Sequence, residues 1–353
     1  MNKLIILPLF AILLLLMGCP FYGYKYDEGE FPPDPVNFSE LNSEFDDYNM
    51  AAPVIESELY LYFSSNRNSQ GGDFDIVGDN FHILWDKDTG RLTVDDKPHS
   101  YNDYSYVDSL FALINTAGNE FGPLSIPYSS DPISSYFSYT DIVIYSTDVS
   151  GDHDMNFVWF TFPSESPTSD DGTYGGPEPL SFLNSEYNDS YLSFYGPDYY
   201  SIDYYIDPGR ITELVFCSDR NGDYDIFTSP VMQDSSLLGY LLNGSGSSVI
   251  PVDILNSPGN EKCPSINGNL LVFASDRPGG YGGYDLYYSR RVGDNWSAPQ
   301  NFGERINTSA DEYRPVLVKV HEFRNDLLLF SSNREGGKGG FDLYYVGIER
   351  MID

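Results

Sequence analysis

Two aspartate-rich turns are the clearest candidates for metal chemistry in this sequence. They read DVSGDHD and DRNGDYD, and their carboxylates alternate with other residues. Oxygen ligands spaced in this way are typical of Ca²⁺ loops, but neither turn has the glutamate that closes such a loop at its twelfth position. We therefore expect no cofactor or metal, with Ca²⁺ as the alternative. The candidate ligands are Asp148, Asp152, Asp154, Asp219, Asp223 and Asp225.

Other signs of catalysis are few. The four histidines are scattered, and the sequence contains neither a GxSxG nor an HExxH motif. A pair of carboxylates that cleaves a glycosidic bond stays an alternative, because the chain has 53 acidic residues. We therefore predict no catalytic residues and expect that the chain is not an enzyme.

Both turns belong to a phrase that recurs five times. Its copies read YFSSNRNSQGGDFDIV, IYSTDVSGDHDMNFVWF, VFCSDRNGDYDIFTS, VFASDRPGGYGGYDLYY and LFSSNREGGKGGFDLYY. A second phrase precedes each copy and contains Asn42, Asn115, Asn184, Asn256 or Asn307. Repetition in a fixed order predicts a repeat architecture.

Each repeat predicts four short strands. Apolar runs rich in β-branched and aromatic residues flank a Gly-rich turn, which indicates a hairpin, and a further strand precedes it. Four strands per repeat arranged radially predict an all-β propeller of five antiparallel blades. Six blades are the alternative if the region 78–140 contains a degenerate blade.

The N-terminal part of the propeller is expected to close the ring. The segment EFPPDPVNFSELN matches NWSAPQNFGERIN, the outer-strand segment between repeats four and five. We predict that it supplies the outer strand of the last blade, which leaves no open sheet edge.

The phrases SDRPGGYGGYDLYY and SDRNGDYDIF resemble the WD40-like propeller repeat of TolB-type proteins. The second copy departs from the pattern, because Asp148 replaces an arginine that the other four copies carry. The resemblance implies a protein-binding propeller of the bacterial envelope, with a peptidoglycan-associated or OmpA-like protein as partner.

The repeated arginine precedes the repeated aspartate by eight residues in three copies, as in Arg277 and Asp285. The hairpin brings these strand ends together, so we predict a charge-assisted hydrogen bond between the two side chains across the turn. Because the pair recurs in the blades, its role is expected to be structural.

The chain begins MNKLIILPLFAILLLLMGC, which indicates a bacterial signal peptide over residues 1–18. The ending resembles a lipobox, which implies lipid attachment at Cys19 and an outer-membrane location, periplasmic or surface-exposed. Residues 19–30 then form a tether and residues 31–353 the propeller. The other cysteines, Cys217 and Cys263, are expected to be buried free thiols, although an exported protein permits a disulfide.

The formal net charge of −34 argues against nucleic acid as a partner, because an acidic surface repels phosphate. Tyr-rich insertions suit a protein partner, since tyrosine offers contact area at low entropic cost, and the alternative is that these tyrosines extend the blade sheets and pack locally. We place these insertions between strands three and four of the first repeat and between strands one and two of the third, on one face. The predicted contact residues are Tyr101, Tyr104, Tyr199, Tyr200, Tyr204 and Tyr205.

The expected function is thus a lipid-anchored, non-enzymatic scaffold for protein–protein interaction in the cell envelope. The alternative is a carbohydrate-binding or carbohydrate-cleaving surface lipoprotein.

Overall fold

The computed structural model describes residues 24–51, 58–95, 105–129, 139–163, 171–196, 208–231, 236–244 and 248–351. Within these ranges the chain forms five antiparallel sheets and two short helices, α1 (Ser105–Ile114) and α2 (Leu237–Asn243). Neither helix has the length and apolar character needed to cross a membrane.

Each sheet is one blade. Blade 1 contains β2 (Asp47–Ala51), β3 (Glu58–Ser65), β4 (Asp75–Asp86) and β5 (Arg91–Asp95). Blade 2 contains β6 (Glu120–Ser129), β7 (Tyr139–Thr147), β8 (Asp154–Thr161) and β9 (Thr173–Pro179). Blade 3 contains β10 (Asp189–Tyr195), β11 (Glu213–Ser218), β12 (Asp225–Pro230) and β13 (Ile250–Pro251). Blade 4 contains β14 (Glu261–Asn267), β15 (Leu270–Ser275), β16 (Asp285–Val292), β17 (Asn295–Trp296) and β18 (Gln300–Asn301). Blade 5 contains β19 (Glu312–Val318), β20 (Asp326–Ser332), β21 (Asp342–Ile348) and the N-terminal β1 (Val36–Asn37).

The first strand of every blade faces the axis of the ring. These strands contact one another in sequence around the circle, and β19 contacts β2 to complete it. The hydrophobic core lies between neighbouring sheets, where side chains such as Phe157, Phe216 and Phe330 are fully buried. The five-bladed propeller predicted from the repeats is therefore confirmed, and the six-bladed alternative is wrong.

The ring closes as predicted. β1 pairs antiparallel with β21, with Val36 opposite Tyr345 and Asn37 opposite Tyr344. Phe31 is fully buried and stacks on Phe323 of the same blade. The outer edge of blade 5 is thus covered by the N-terminal segment.

The repeated asparagine joins each blade to the next. Its side-chain amide donates to the carbonyl, and accepts from the N–H, of one residue near the start of a third strand. This pairing extends the backbone ladder with a side chain, which explains why the same residue recurs. The pairs are Asn42 with Leu343, Asn115 with Ile76, Asn184 with Met155, Asn256 with Ile226 and Asn307 with Leu286.

One insertion is placed differently from the prediction. The predicted insertion of the first repeat also contains Tyr106, and because the fourth strand of blade 1, β5, precedes α1, this residue follows strand four instead of lying between strands three and four. Tyr106 stacks on Phe160, and its hydroxyl donates to Asp141. This tyrosine packs locally. The insertion of the third repeat does lie between the first and second strands of its blade.

Candidate functional site

A buried acid begins the first strand of every blade. Each carboxylate accepts hydrogen bonds from the N–H and the hydroxyl of a Ser or Thr four residues earlier, as Glu312 does from Thr308 at 2.8 and 2.7 Å. All five acids are fully buried, namely Asp47, Glu120, Asp189, Glu261 and Glu312. These contacts fix the chain where it enters the axis of the ring.

The repeated arginine pairs with this buried acid, which corrects the predicted pair with the aspartate eight residues later. The Nη2 of Arg277 lies 3.0 Å from Oε1 of Glu261 and 2.6 Å from the carbonyl of Leu255. Asp285 instead accepts the N–H groups of Tyr281 and Gly282 in the turn. The same geometry recurs in Arg67–Asp47, Arg220–Asp189 and Arg334–Glu312. The repeated arginine therefore has a structural role, as predicted, but its partner is the buried acid of the first strand and not the predicted aspartate.

A second repeated pair lies immediately before the buried acid. In blade 4, the N–H and Nδ2 of Asn260 donate to Asp276, which follows the second strand, at 2.6 and 2.8 Å. In blade 5 the two residue types are exchanged. The N–H of Asp311 donates to Asn333 at 2.8 Å, and the Nδ2 of Asn333 donates back at 3.0 Å. The five pairs are Asp46–Asn66, Asn119–Asp148, Asn188–Asp219, Asn260–Asp276 and Asp311–Asn333.

This pair also positions an aromatic ring of the preceding blade. Asp311 accepts the N–H of Tyr284 at 2.8 Å, and Asp46 accepts the N–H of Phe341 at 2.7 Å. The ring at this position always precedes the repeated aspartate of the third strand. The five residues are Phe74, His153, Tyr224, Tyr284 and Phe341.

Residues from all five blades surround a pocket on the axis. The pocket, named here the axial pocket, has a volume of about 290 Å³. Because every first strand contributes to it, the pocket exists only in the closed ring. It is lined by Tyr48, Phe121, His153, Tyr191, Tyr224, Lys262, Tyr284, Asp311, Tyr313 and Phe341.

The lining is aromatic with a few polar groups. Tyr284 and Tyr313 meet edge to face with ring centroids 5.3 Å apart, and Tyr48 lies 5.7 Å from Phe341. The ammonium group of Lys262 lies 3.8 Å from the centre of the Tyr224 ring. Asp311 is the one carboxylate in this lining within the described ranges. Aromatic walls with a few polar groups are typical of small-molecule sites.

The ionisation of the pocket follows from its burial. Burial lowers the pKa of His153, although the carboxylate of Asp148 opposes this shift, so the imidazole is neutral at pH 7. Burial raises the pKa of both Tyr224 and Tyr284, so their hydroxyls stay protonated donors. The pocket therefore offers hydroxyl groups, one ammonium group and one carboxylate around aromatic surfaces.

The predicted metal ligands do not gather into one site. Asp148 and Asp219 hold Asn119 and Asn188, while Asp154 and Asp225 accept from Ser150 and Asn221 within their turns. No group of three or more potential ligands in the described part of the chain is arranged to hold a metal ion. The Ca²⁺ alternative thus gains no support from this geometry.

The other predicted site residues lie mostly outside the described residues. This holds for Cys19 and for the tyrosines Tyr101, Tyr104, Tyr199, Tyr200, Tyr204 and Tyr205. Cys217 and Cys263 are both buried free thiols.

Comparison with known proteins gives fold-level matches. No family model matches the chain, and no curated protein matches it. An exo-β-1,3-galactanase from Phanerochaete chrysosporium, solved with β-1,3-galactotriose, matches with a TM-score of 0.52 and 12% identity, over 91% of this chain and 64% of that one. A putative glycoside hydrolase from Bacteroides ovatus matches with a TM-score of 0.49 and 11% identity, over 92% and 94%. The α-L-arabinofuranosidase PaAbf62A from Podospora anserina matches with a TM-score of 0.47 and 9% identity, over 91% and 97%.

These matches correct two expectations from the sequence. The resemblance to TolB-type proteins is wrong as a family assignment, because no family model matches the chain and the structure that matches with a TM-score of 0.52 is an exo-β-1,3-galactanase. The expectation of a non-enzymatic protein-binding scaffold is contradicted as well, because the galactanase that matches this fold is an enzyme that was solved with a carbohydrate. At 12% identity this likeness shows the propeller fold and does not show an activity of this chain.

Sequence reasoning missed the axial pocket, although one signal for it was visible. An aromatic residue or histidine precedes the repeated aspartate in all five copies. A position with an aromatic ring in every repeat occupies the same location in every blade. The five equivalent residues are therefore brought around the axis when the ring closes.

Proposed function

We propose that this chain is a carbohydrate-active propeller that binds a saccharide in the axial pocket and hydrolyses a glycosidic bond there. The observation that carries the proposal is the aromatic lining, to which all five blades contribute. The apolar faces of sugar rings pack on aromatic rings, and tyrosine hydroxyls bind sugar hydroxyls. The fold shared with a galactanase is consistent with this activity.

The size of the pocket favours a short saccharide unit. Its volume of about 290 Å³ is at the lower end of the range for small-molecule sites, roughly 300–1,000 Å³. We therefore propose that the terminal part of a glycan enters the pocket and that the rest extends into solvent.

Asp311 is the candidate for acid–base chemistry. Hydrolysis of a glycosidic bond uses a carboxylic acid to protonate the leaving oxygen and a second carboxylate on the other side of the sugar. Asp311 lines the pocket, and Asp46 occupies the equivalent position in the neighbouring blade. We assign Asp311 to one of these roles, whereas Asp46 is not among the residues that line the pocket and receives no assignment.

Binding is tested with two tyrosine variants. The purified protein is screened against a panel of plant and microbial polysaccharides by affinity electrophoresis, and hits are measured by calorimetry with oligosaccharides. We expect Tyr284→Ala to weaken binding at least tenfold. Tyr281→Ala serves as the matched control, because Tyr281 lies in the same turn but is 49% exposed and outside the pocket lining. Binding by no member of the panel, or equal loss in both variants, would refute the proposed function.

Cleavage is tested by exchanging the Asp and Asn residues of the pair Asp311–Asn333. The double variant Asp311→Asn with Asn333→Asp reproduces the Asn260–Asp276 arrangement of blade 4, so the fold should be retained. It removes the carboxylate from the pocket lining. We expect release of reducing sugar to fall at least a hundredfold while saccharide affinity and melting temperature change little. Undiminished release would exclude Asp311, and binding without any product from the wild type would refute the hydrolytic half of the proposal.

A further inference from the structure

The axis of the propeller contains a buried cation without a counter-charge. Arg314 lies on the first strand of blade 5 and is only 2% exposed. Its Nη2 donates to the carbonyl of Pro123 at 3.3 Å. Its Nε and Nη1 have no hydrogen-bond partner, and no carboxylate among the described residues forms an ion pair with it. This differs from Arg67, Arg220, Arg277 and Arg334, each of which is paired with a buried acid.

The backbone holds Arg314 in this position. Two residues after the buried acid, each first strand has a register shift and a residue with positive φ, which is 48° for Arg314. The equivalent residue of the neighbouring blade is Asn49, which is fully buried and whose amide atoms also lack hydrogen-bond partners. A buried polar group without a hydrogen-bond partner is rare in folded proteins and calls for a cause such as a bound water or ion.

A small cavity lies against Arg314. It has a volume of about 40 Å³, and the first strands of the blades line it with Ser125, Ser193 and Ser265 among apolar side chains. This volume exceeds the roughly 10–15 Å³ that one water molecule requires. It is too small for a sugar ring and is separate from the axial pocket, whose lining does not include Arg314.

We propose that this cavity binds one small monovalent anion, of the size of a halide or formate, against the guanidinium group of Arg314. A guanidinium group stays charged at every accessible pH, so it cannot avoid the cost of burial by losing its proton. A buried charge is strongly unfavourable unless it is paired, and the Tyr191 ring, whose centre lies 5.3 Å from the guanidinium carbon, offsets only part of this cost. In a chain with a net charge of −34, an anion is retained only where a cation is fixed and shielded from solvent. The site is structural, joins the five blades at the axis, and is independent of the proposed carbohydrate chemistry.

The test is melting temperature against anion concentration at constant ionic strength. Sodium chloride, bromide or formate replaces sodium gluconate, whose anion does not fit the cavity. We expect a saturable rise of several degrees with each small anion. Arg314→Met should abolish the rise. Arg305→Gln removes one exposed arginine and should retain it. A rise that does not saturate, persists in Arg314→Met, or disappears equally in Arg305→Gln would overturn the proposal.

A second measurement keeps the proposal testable if Arg314→Met does not fold. Wild-type crystals soaked in bromide are measured at the bromine absorption edge. We expect an anomalous peak within hydrogen-bond distance of Nε or Nη1 of Arg314. A cavity with water density and no anomalous peak would refute the anion site.

Discussion

Replacing Arg334 with methionine should destabilise the protein by about 2–4 kcal/mol at pH 7. Nη2 of Arg334 lies 2.9 Å from Oε1 of Glu312, whose side chain is 0% exposed. Removing one partner of a buried ion pair typically costs about 3–5 kcal/mol. Glu312 keeps hydrogen bonds from Thr308 and Ser332, and Arg334 is itself 14% exposed, so we place the cost at the lower end.

The loss should depend on pH in a defined direction. Burial raises the pKa of Glu312 above its usual value, and Arg334 opposes that shift. A carboxyl group whose pKa is higher in the folded protein than in the unfolded chain contributes stability as the pH falls through the folded value. Without Arg334 this pKa rises further. The variant should therefore recover part of its lost stability between pH 7 and pH 5.

Blade 2 shows what this variant would resemble. Asp148 replaces the arginine there, and within the described part of the chain the side chain of Glu120 accepts hydrogen bonds from Thr116 and Thr147. Burial raises the pKa of Glu120 as well. One blade therefore already tolerates the arrangement that the Arg334 variant would create in a second.

The assay is urea denaturation of the wild type, Arg334→Met and the double variant Arg334→Met with Glu312→Gln, at pH 7 and pH 5. We expect the double variant to recover at least half of the loss at pH 7, because no charge is left buried. If the single variant lost as much stability at pH 5 as at pH 7, or if the double variant were no better, the ion pair would not be the cause. The bond from Arg334 to the carbonyl of Ile306 and its packing on aromatic rings would then account for the loss.

Three further predictions concern other parts of the chain. Burial raises the pKa of Asp141 to about 6, so Asp141→Asn should stabilise the protein by about 1–3 kcal/mol at pH 8. The variant should also gain less stability than the wild type on acidification from pH 7 to pH 5, as measured by urea denaturation; the buried Glu120 and Glu312 should account for the gain that is left. Deletion of residues 31–37 exposes the edge of β21 and should cause aggregation and loss of a single cooperative melting transition, and an unchanged transition would contradict closure by β1. Cys19→Ser should move the protein from the membrane fraction to the soluble fraction or leave it unprocessed, and palmitate incorporation that persists in this variant would exclude lipidation at Cys19.

The blades and their closure could be predicted because their signals are local and repeated. The Gly-rich turns define the hairpins, and the match between EFPPDPVNFSELN and NWSAPQNFGERIN identifies the outer strand of the last blade. The partner of the repeated arginine could not be chosen in this way. Ser275 lies opposite both Glu261 on one neighbouring strand and Asp285 on the other, so strand pairing allows either acid.

Both acids are buried, so burial alone does not decide between them. Asp285 accepts N–H groups of its own turn and the side-chain amide of Asn301, and the arginine pairs with Glu261 instead. The axial pocket was unpredictable for a related reason. Tyr48 and Tyr313 belong to distant parts of the sequence and come together only when all five blades have closed into a ring.

The pairing of β1 with β21 has a consequence for how the protein is made. Val36 leaves the ribosome long before Tyr345, its partner across the ladder. β1 must stay unpaired while blades 1 to 4 form, and its own edge remains open to wrong pairing during that time. Contacts so distant in sequence slow folding, because the entropy of closing a large loop is lost before the contact forms. Once β21 pairs with β1, both strand edges are covered, and the buried Phe31, which stacks on Phe323, adds to this closure.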